Sequence, residues 1–247
     1  MASEGAEVAG GKAAADYRAE VDRILDRISA TQAEPLEQAA VLIADALDRG
    51  GVVYAFGAGH SQSVALEFYY RAGGLAPCDV IEERTFGRAE RLSGYAAVLL
   101  EPYPLGENDL LVAASNSGRN PLPVEMAIEA RRRGARVVGI TSLAHSRTIA
   151  ARPPLTHRLF EVCDVVIDNC TPPGDAAVEL PAAGGVRVGG LSTLAGVFIA
   201  QTLVCRASEL IAARGHAVPV FCSMNLDGGD ERNRALLAGV KGRVRGI

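Results

Sequence analysis

Five short runs of almost entirely apolar residues, separated by segments with helical periodicity, place the strongest constraint on the fold of this chain. They are residues 52–56, Cys78–Ile81, Leu110–Ala114, Arg136–Thr141 and Val165–Asp168. Strands that are apolar on both faces and alternate with helices are typical of a parallel sheet buried between two helical layers. We therefore predict an α/β fold with an open five-stranded parallel sheet flanked by helices on both faces. Such sheets bind ligands beyond the carboxyl ends of their strands, where the strand order reverses.

Apolar residues at helical spacing predict the helices around this sheet. Two lie ahead of the first strand, and the others are predicted at residues 61–72, 120–133, near 145–151, at 191–214 and at 231–240, the last with Asp230 as N-cap. No repeat and no low-complexity linker divides the chain. We predict one domain over residues 1–247, with N-terminal helices at 16–50, a ligand-binding core at 51–214 and a tail with a helix at 215–247. Residues 1–15 are expected to form a frayed tail.

Charge and cysteine content exclude several classes of partner. The chain has 25 basic and 29 acidic residues, and no Lys/Arg block, so we expect neither nucleic acid nor an anionic membrane as a partner. The longest apolar stretch, residues 191–205, contains four polar residues and is too short to span a bilayer. Five separated cysteines without a C-x-x-C pair predict reduced thiols, a cytoplasmic protein and no metal or other cofactor.

Polar loops follow two of the predicted strands. The first loop, residues 57–63, reads GAGHSQS, and the second loop, residues 115–120, reads SNSGRN ahead of a helix that starts with proline. Either loop alone is explained by a glycine turn and a helix cap. Together, their hydroxyls, amides and glycines favour a site that holds a phosphate without a basic cluster. The candidate binding residues are Gly57, Gly59, Ser61, Ser115, Asn116, Ser117, Gly118 and Asn120.

A dinucleotide site is the alternative interpretation of the first loop. Gly57 and Gly59 begin a G-x-G-x-x-G pattern, and Glu82 ends the next strand where a ribose-binding acid is expected. Gln62 replaces the third glycine, and this fold does not require the serine-rich second loop. An NAD-binding oxidoreductase therefore stays a remote alternative.

Both loops, with the preceding pair of helices, resemble the SIS (sugar isomerase) domain from residue 33 to about residue 214. The resemblance implies phosphosugar binding by the two loops. It also implies that Ser192 and Thr193 belong to the serine–threonine turn that opens the last core helix. With residues 68–74, 173–176 and 223–233, the chain is similar to a bacterial group of SIS proteins of largely undefined substrate, related to phosphoheptose isomerases.

Catalytic residues of better-known SIS enzymes are not all present. Phosphoheptose isomerases carry a histidine and then a glutamate on the helix after the first loop, where this chain has Glu67 and Arg71. Muramic acid phosphate etherases and glucosamine phosphate synthases have Arg or Lys after the serine–threonine turn, where this chain has Leu194. The resemblance therefore indicates the fold and the ligand class but not the reaction.

Isomerisation and elimination of sugar phosphates both need an acid and a base. Glu67 and His60 are the candidate catalytic residues, because both lie close to the first loop; an exposed helix charge and an ordinary loop histidine are the alternatives. Asp175 follows the last strand in a Pro-Pro-Gly turn, and it either binds substrate or stabilises that turn. His216 and the tail at residues 222–233 either complete a partner subunit's site or serve as a helix cap and a turn.

We expect a phosphosugar-binding protein that acts as a sugar-phosphate isomerase by proton transfer. The alternatives are a non-catalytic sugar-phosphate sensor and an etherase-like lyase. Sensors of this fold usually carry a DNA-binding domain, for which residues 1–49 are unsuited. A homodimer or higher homo-oligomer is expected, because the helices at 17–28 and 191–214 have more apolar surface than one sheet layer covers.

Overall fold

The computed structural model describes residues 11–245 and contains the predicted five-stranded parallel sheet, in the order β2-β1-β3-β4-β5. The strands are β1 (Val53–Gly57), β2 (Cys78–Ile81), β3 (Leu110–Ala114), β4 (Arg136–Thr141) and β5 (Val165–Asp168). All but β4 and β5 are buried over their whole length, which agrees with their apolar sequences. The α/β class and the strand assignment are therefore confirmed, with β1 shifted by one residue.

The order of strands reverses between β1 and β3. From β1 the chain crosses to β2 on one side and then returns to β3 on the other side. Gly57 and Ala114, the last residues of β1 and β3, are register partners in this parallel pair. The first and second loops therefore leave the sheet side by side at its switch point.

Helices cover both faces of the sheet, as predicted. One layer contains α1 (Lys12–Thr31), α2 (Ala33–Asp48), α3 (Gln62–Leu66) and α7 (Ser192–Ala213), and the other contains α4 (Tyr95–Leu100) and α5 (Pro121–Arg132). Residues of β1 alternate between the layers: Val53 and Ala55 join the first, whereas Tyr54 and Phe56 join the second. Two short or peripheral helices, α6 (Leu143–Ser146) and α8 (Gly229–Val240), complete the fold.

Helix α7 is the central helix of the first layer. Its 22 residues are long and apolar enough to cross a membrane, so the apolar segment is longer than the 191–205 stretch considered above. Ile199 and Leu203 are completely buried in the core, and a Cβ on Gly196 would lie 2.5 Å from Val64 of α3. Helix α7 is therefore packed as a core helix of this fold, although its length and composition would also suit a membrane span.

Two predictions of secondary structure were wrong in part. The helix predicted at 61–72 ends at Leu66, because the chain turns to bury Phe68 and Tyr70 adopts a positive φ of 37°. The short helix predicted near 145–151 lies at Leu143–Ser146 instead. Both segments carry helical periodicity, but burial of particular side chains overrides that local preference.

A β-hairpin of β6 (Ala176–Leu180) and β7 (Val186–Gly190) was not predicted. Strand β7 is largely exposed and β6 is only partly buried, and neither has the uniform apolar sequence of the five core strands. The hairpin is attached to α1, where the hydroxyl of Tyr17 donates a hydrogen bond to the carbonyl of Gly190 at 2.8 Å. This contact joins positions 173 residues apart, which local sequence does not reveal.

The chain ends fold differently from their predictions. Helix α1 begins at Lys12, so part of the predicted N-terminal tail is helical, and residues 1–10 lie outside the described residues. At the other end, Gly228 with a φ of 77° precedes α8, so Asp230 lies in the first turn rather than at the N-cap. Ahead of α8, Phe221 exchanges backbone hydrogen bonds with Gly73 and Gly74, and these bonds connect the tail to the segment that precedes β2.

Candidate functional site

A narrow crevice lies at the carboxyl ends of β1 and β3, between the sheet and the starts of α3 and α7. The residues around it are Ser61, Val64, Ala114, Ser115, Asn116, Ile140, Asn169, Ser192, Thr193 and Gly196. Five of the predicted binding residues thus meet at one place: Ser61, Ser115, Asn116, Ser192 and Thr193. The crevice encloses about 10 Å³, the space of one water, so a sugar phosphate would lie across its mouth.

The first loop folds back on itself to bring Ser61 to the crevice. A Cβ on Gly57 would lie 2.2 Å from the carbonyl oxygen of Ser61, so only glycine permits this return. Gly59 has a φ of 57°, and its backbone packs near Gly87. Both glycines are therefore required by the protein's own backbone, whereas the sequence suggested that they let a ligand approach.

Four hydrogen bonds hold Asn116 of the second loop in place. Its carbonyl oxygen accepts hydrogen bonds from the Thr141 hydroxyl at 3.1 Å and the Ser142 amide at 3.0 Å. Its side-chain Oδ1 accepts from Asn169 Nδ2 at 2.9 Å and from the Thr171 hydroxyl at 3.0 Å. The Nδ2 group of Asn116, which is not used in these bonds, is thus positioned as a donor at the crevice.

Asn169 is a residue of the crevice that the sequence did not reveal as a candidate. It is 3% exposed and holds both Asn116 and Thr171. Asn169 directly follows β5, just as Ser115 follows β3. Its position at the end of a predicted strand was therefore the available signal, but no glycine or serine motif surrounds it.

The rest of the second loop turns toward the α5 side of the sheet. Gly118 has a φ of 58°, and a Cβ there would lie 3.1 Å from Thr141 Oγ1 and Ser146 Oγ. Asn120 donates to Glu90 at 2.5 Å and accepts from Arg152 at 2.7 Å. The Asn120 side chain is therefore bound within the protein, whereas the half-buried Ser117 makes no side-chain hydrogen bond among the described residues.

Asp175 caps the start of α7. Its carboxylate accepts hydrogen bonds from the amides of Leu191 and Ser192 at 3.1 and 2.6 Å, and from the Ser192 hydroxyl at 2.9 Å. This cap differs from the local turn expected from the sequence, and the contact with substrate stays a prediction. The carboxylate satisfies the orphan amides of a helix end that is remote in the chain.

The two candidate catalytic residues differ in their surroundings. Glu67 is half-buried at the end of α3, where its carboxylate forms an ion pair with Arg71 and accepts a hydrogen bond from Gln201 of α7 at 2.8 Å. His60 is exposed in the first loop, and its side chain makes no hydrogen bond among the described residues. Glu67 is thus fixed in place, and His60 is free to meet a ligand.

His216 and the tail bind within this chain. The His216 ring lies 2.7 Å from Asp48, and hydrogen bonds from Arg214 and His216 lower the pKa of Asp48. The tail at residues 222–233 is fastened by Asn233, which exchanges hydrogen bonds with the backbone of Cys222. Beneath the tail, beside Arg71, lies a cavity of about 160 Å³.

The chemistry of the crevice is that of neutral hydroxyl and amide groups. Within residues 11–245, no group of three or more His, Cys, Asp or Glu side chains is placed to hold a metal. Gln62, which replaces the third glycine of the dinucleotide pattern, donates a hydrogen bond to the Glu83 carbonyl at 2.7 Å. Glu82, the expected ribose-binding acid of that pattern, forms an ion pair with Arg84. The crevice is therefore suited to an oxyanion or sugar hydroxyls.

Comparison with known proteins gives a consistent result. Residues 16–142 match the SIS domain. A UPF0309 protein of Shouchella clausii is 38% identical over 231 residues, which cover 90% of this chain and 94% of that protein. A phosphoheptose isomerase from Francisella tularensis has a TM-score of 0.58 at 16% identity, covering 79% of this chain and 96% of its own. The Vibrio vulnificus NanR protein, complexed with ManNAc-6P, has a TM-score of 0.54 at 15% identity, covering 93% and 70%.

The cap on α7 predicts that Asp175 stabilises the ligand-free protein. Replacing Asp175 by Ala removes three hydrogen bonds and should lower the free energy of unfolding by about 1–2 kcal/mol in urea titrations. Asp175→Asn should retain more of the stability, because its Oδ1 still accepts and asparagine tolerates the φ of 68°. Unchanged stability of Asp175→Ala would contradict the capping role and favour a contact with substrate.

Proposed function

The chain belongs to the SIS domain family, and we propose that it binds a phosphorylated sugar at the switch-point crevice and isomerises it. The observation that carries this proposal is the meeting of three polar segments at the ends of β1 and β3: Ser61, Ser115 with Asn116, and Ser192 with Thr193. They come from separate loops, and each was singled out by its sequence pattern. An ordinary helix cap does not require such convergence.

The second loop is proposed to hold the phosphate, and the sugar is proposed to lie across the mouth of the crevice. Hydroxyl and amide donors supply charge-assisted hydrogen bonds to an oxyanion, each contributing about 1.5–3 kcal/mol. Ser117 and the Nδ2 of Asn116 are two side-chain donors that the protein leaves for such a ligand. The protein fold thus arranges these groups before binding, which limits the entropy lost on association.

Glu67 is the proposed base. Val64 of α3 and Gly196 of α7 border the crevice, and Glu67 and Gln201 lie about one helical turn beyond them on the same two segments. The Glu67 carboxylate is proposed to move a proton between C1 and C2 of an open-chain sugar that lies at the crevice. His60, exposed beside Ser61, is the proposed acid.

A sugar-phosphate sensor is the second candidate. The Glu67 carboxylate is already paired with Arg71. A carboxylate with this structural role need not also act as a base. The NanR protein, which has a similar fold, is complexed with ManNAc-6P, and this supports binding of a sugar phosphate by the present chain. Proton exchange between bound sugar and solvent separates the two candidates.

We also propose that residues 1–247 form one cytoplasmic domain. Two clusters of buried side chains, one on each face of a single sheet, include residues from the N-terminal helices, the core and the C-terminal segment. The cysteines favour a reducing compartment, since none of the five is bonded to another.

Binding is tested by thermal shift against hexose, heptose, pentose and amino-sugar phosphates. A ligand at 100 times its dissociation constant adds about 2.7 kcal/mol of stability, so at least one sugar phosphate should raise the melting temperature. Ser117→Ala should reduce this shift, whereas Ser93→Ala, which is not one of the residues around the crevice, should not. Equal shifts in Ser117→Ala and the wild type would contradict the phosphate assignment.

Catalysis is tested by deuterium exchange. If Glu67 moves a proton between C1 and C2, NMR in D₂O should show solvent deuterium entering a stabilising sugar phosphate. Glu67→Gln should slow this exchange by about 10²–10⁴-fold, while Glu34→Gln on the exposed start of α2 should leave it unchanged. Binding without any exchange in the wild type would instead support the sensor.

A homodimer is proposed from exposed apolar surface near α3. Phe86 is 81% exposed and Leu66 is 50% exposed, and both border one groove with Gln62. Light scattering at micromolar concentration should give about twice the chain mass of 25.8 kDa, because pairing would cover this surface. Phe86→Asp should shift the mass toward a monomer, and a monomeric wild type would contradict the proposal.

A further inference from the structure

The start of α5 lacks the free amides that usually bind anions at a helix N-terminus. Pro121 and Pro123 have no N–H, and the amide of Leu122 between them donates to the Glu90 carbonyl at 3.1 Å. The second loop leads directly into this helix. A phosphate held by the loop must therefore find its charge complement elsewhere.

Arg119 lies inside the second loop, between Gly118 and Asn120. Its Nε is buried and has no hydrogen-bond partner in the described structure. No carboxylate of residues 11–245 lies within ion-pair distance of its guanidinium. Buried N–H groups are nearly always paired in native proteins, so this one indicates an acceptor that the chain itself does not supply.

The surroundings of Arg119 leave its charge uncompensated. Glu90 is the acid connected to this loop, and it accepts the amide hydrogen bond of Asn120. Arg152 binds the other side of Asn120, and its backbone amide donates to the Arg119 carbonyl at 2.9 Å. Two arginines and one engaged carboxylate therefore make this part of the loop locally cationic, in a chain whose net charge is −4.

We propose that Arg119 is the charged anchor of the ligand's phosphate and selects a dianionic phosphate monoester over a monoanionic group. This inference rests on the proposed function, since it concerns the same second loop. An arginine is permanently charged and pairs with two phosphate oxygens at once, which neutral hydroxyls do not. The two prolines leave the start of α5 without free amides for an anion. Arg119 would thus supply the positive charge that selects a dianionic ligand.

The test uses glucose 6-phosphate, glucose 6-sulfate and inorganic phosphate in calorimetric titrations at pH 8. The two sugar esters have the same shape, but the phosphate is a dianion and the sulfate a monoanion. Wild-type protein should bind the phosphate ester at least 10-fold more tightly. Arg119→Gln should lose about 10- to 100-fold in affinity for it and most of the preference over sulfate, whereas Arg119→Lys should keep part of both.

Controls separate this role from a structural one. Arg49→Gln removes an exposed arginine without an ion pair in the described structure, just ahead of β1 at the opposite edge of the sheet, and should bind all three probes like the wild type. Melting without ligand checks that Arg119→Gln is folded. Wild-type affinity and selectivity in Arg119→Gln would overturn the anchor alone. If the wild-type protein binds none of the probes, the anchor is also overturned, whereas the proposed function fails only if no sugar phosphate of the thermal-shift screen stabilises the protein.

Discussion

The parallel pairing of β1 with β3 is the interaction on which the rest of the candidate site depends. It places Gly57 beside Ala114, so that the two polar loops leave the sheet at adjacent points. Each strand is buried because its apolar residues face helical layers on both sides. The same strand pairing therefore builds the hydrophobic core and positions the candidate site. The polar loop residues lie at the edge of the sheet, beyond the last buried residue of each strand.

Close approach of backbone and helices then narrows this edge into a crevice. Gly57 lets the first loop return on itself, and Gly196 lets α7 pack against Val64 of α3. Both glycines act through contacts inside the protein. The functional consequence is indirect, because these contacts set the spacing of Ser61, Ser115 and Thr193 around the crevice.

The proposed chemistry depends on which polar groups near the crevice are neutral and which are charged. The crevice has neutral donors, while the charged groups near it are committed to other groups: Glu67 to Arg71, and Asp175 to the start of α7. Farther along the second loop, Arg119 differs from these groups, because its buried Nε has no partner in the described chain. A site of this kind holds an anion by local groups, which explains how an acidic protein can be suited to a phosphorylated ligand.

The sequence by itself determined the five strands of the parallel sheet, the presence of helices on both of its faces and the loops at the strand ends, because apolar runs and helical spacing are local properties. It also carried the SIS resemblance in its loop motifs. Only the tertiary structure decided which polar residues remain available to a ligand. Asn120 is bound by Glu90 and Arg152, and Asp175 by the start of α7, whereas Asn169 joins the crevice without a motif of its own. These pairings join residues 17 to 53 positions apart, and a hydrogen bond over such a separation depends on how the layers pack rather than on neighbouring sequence.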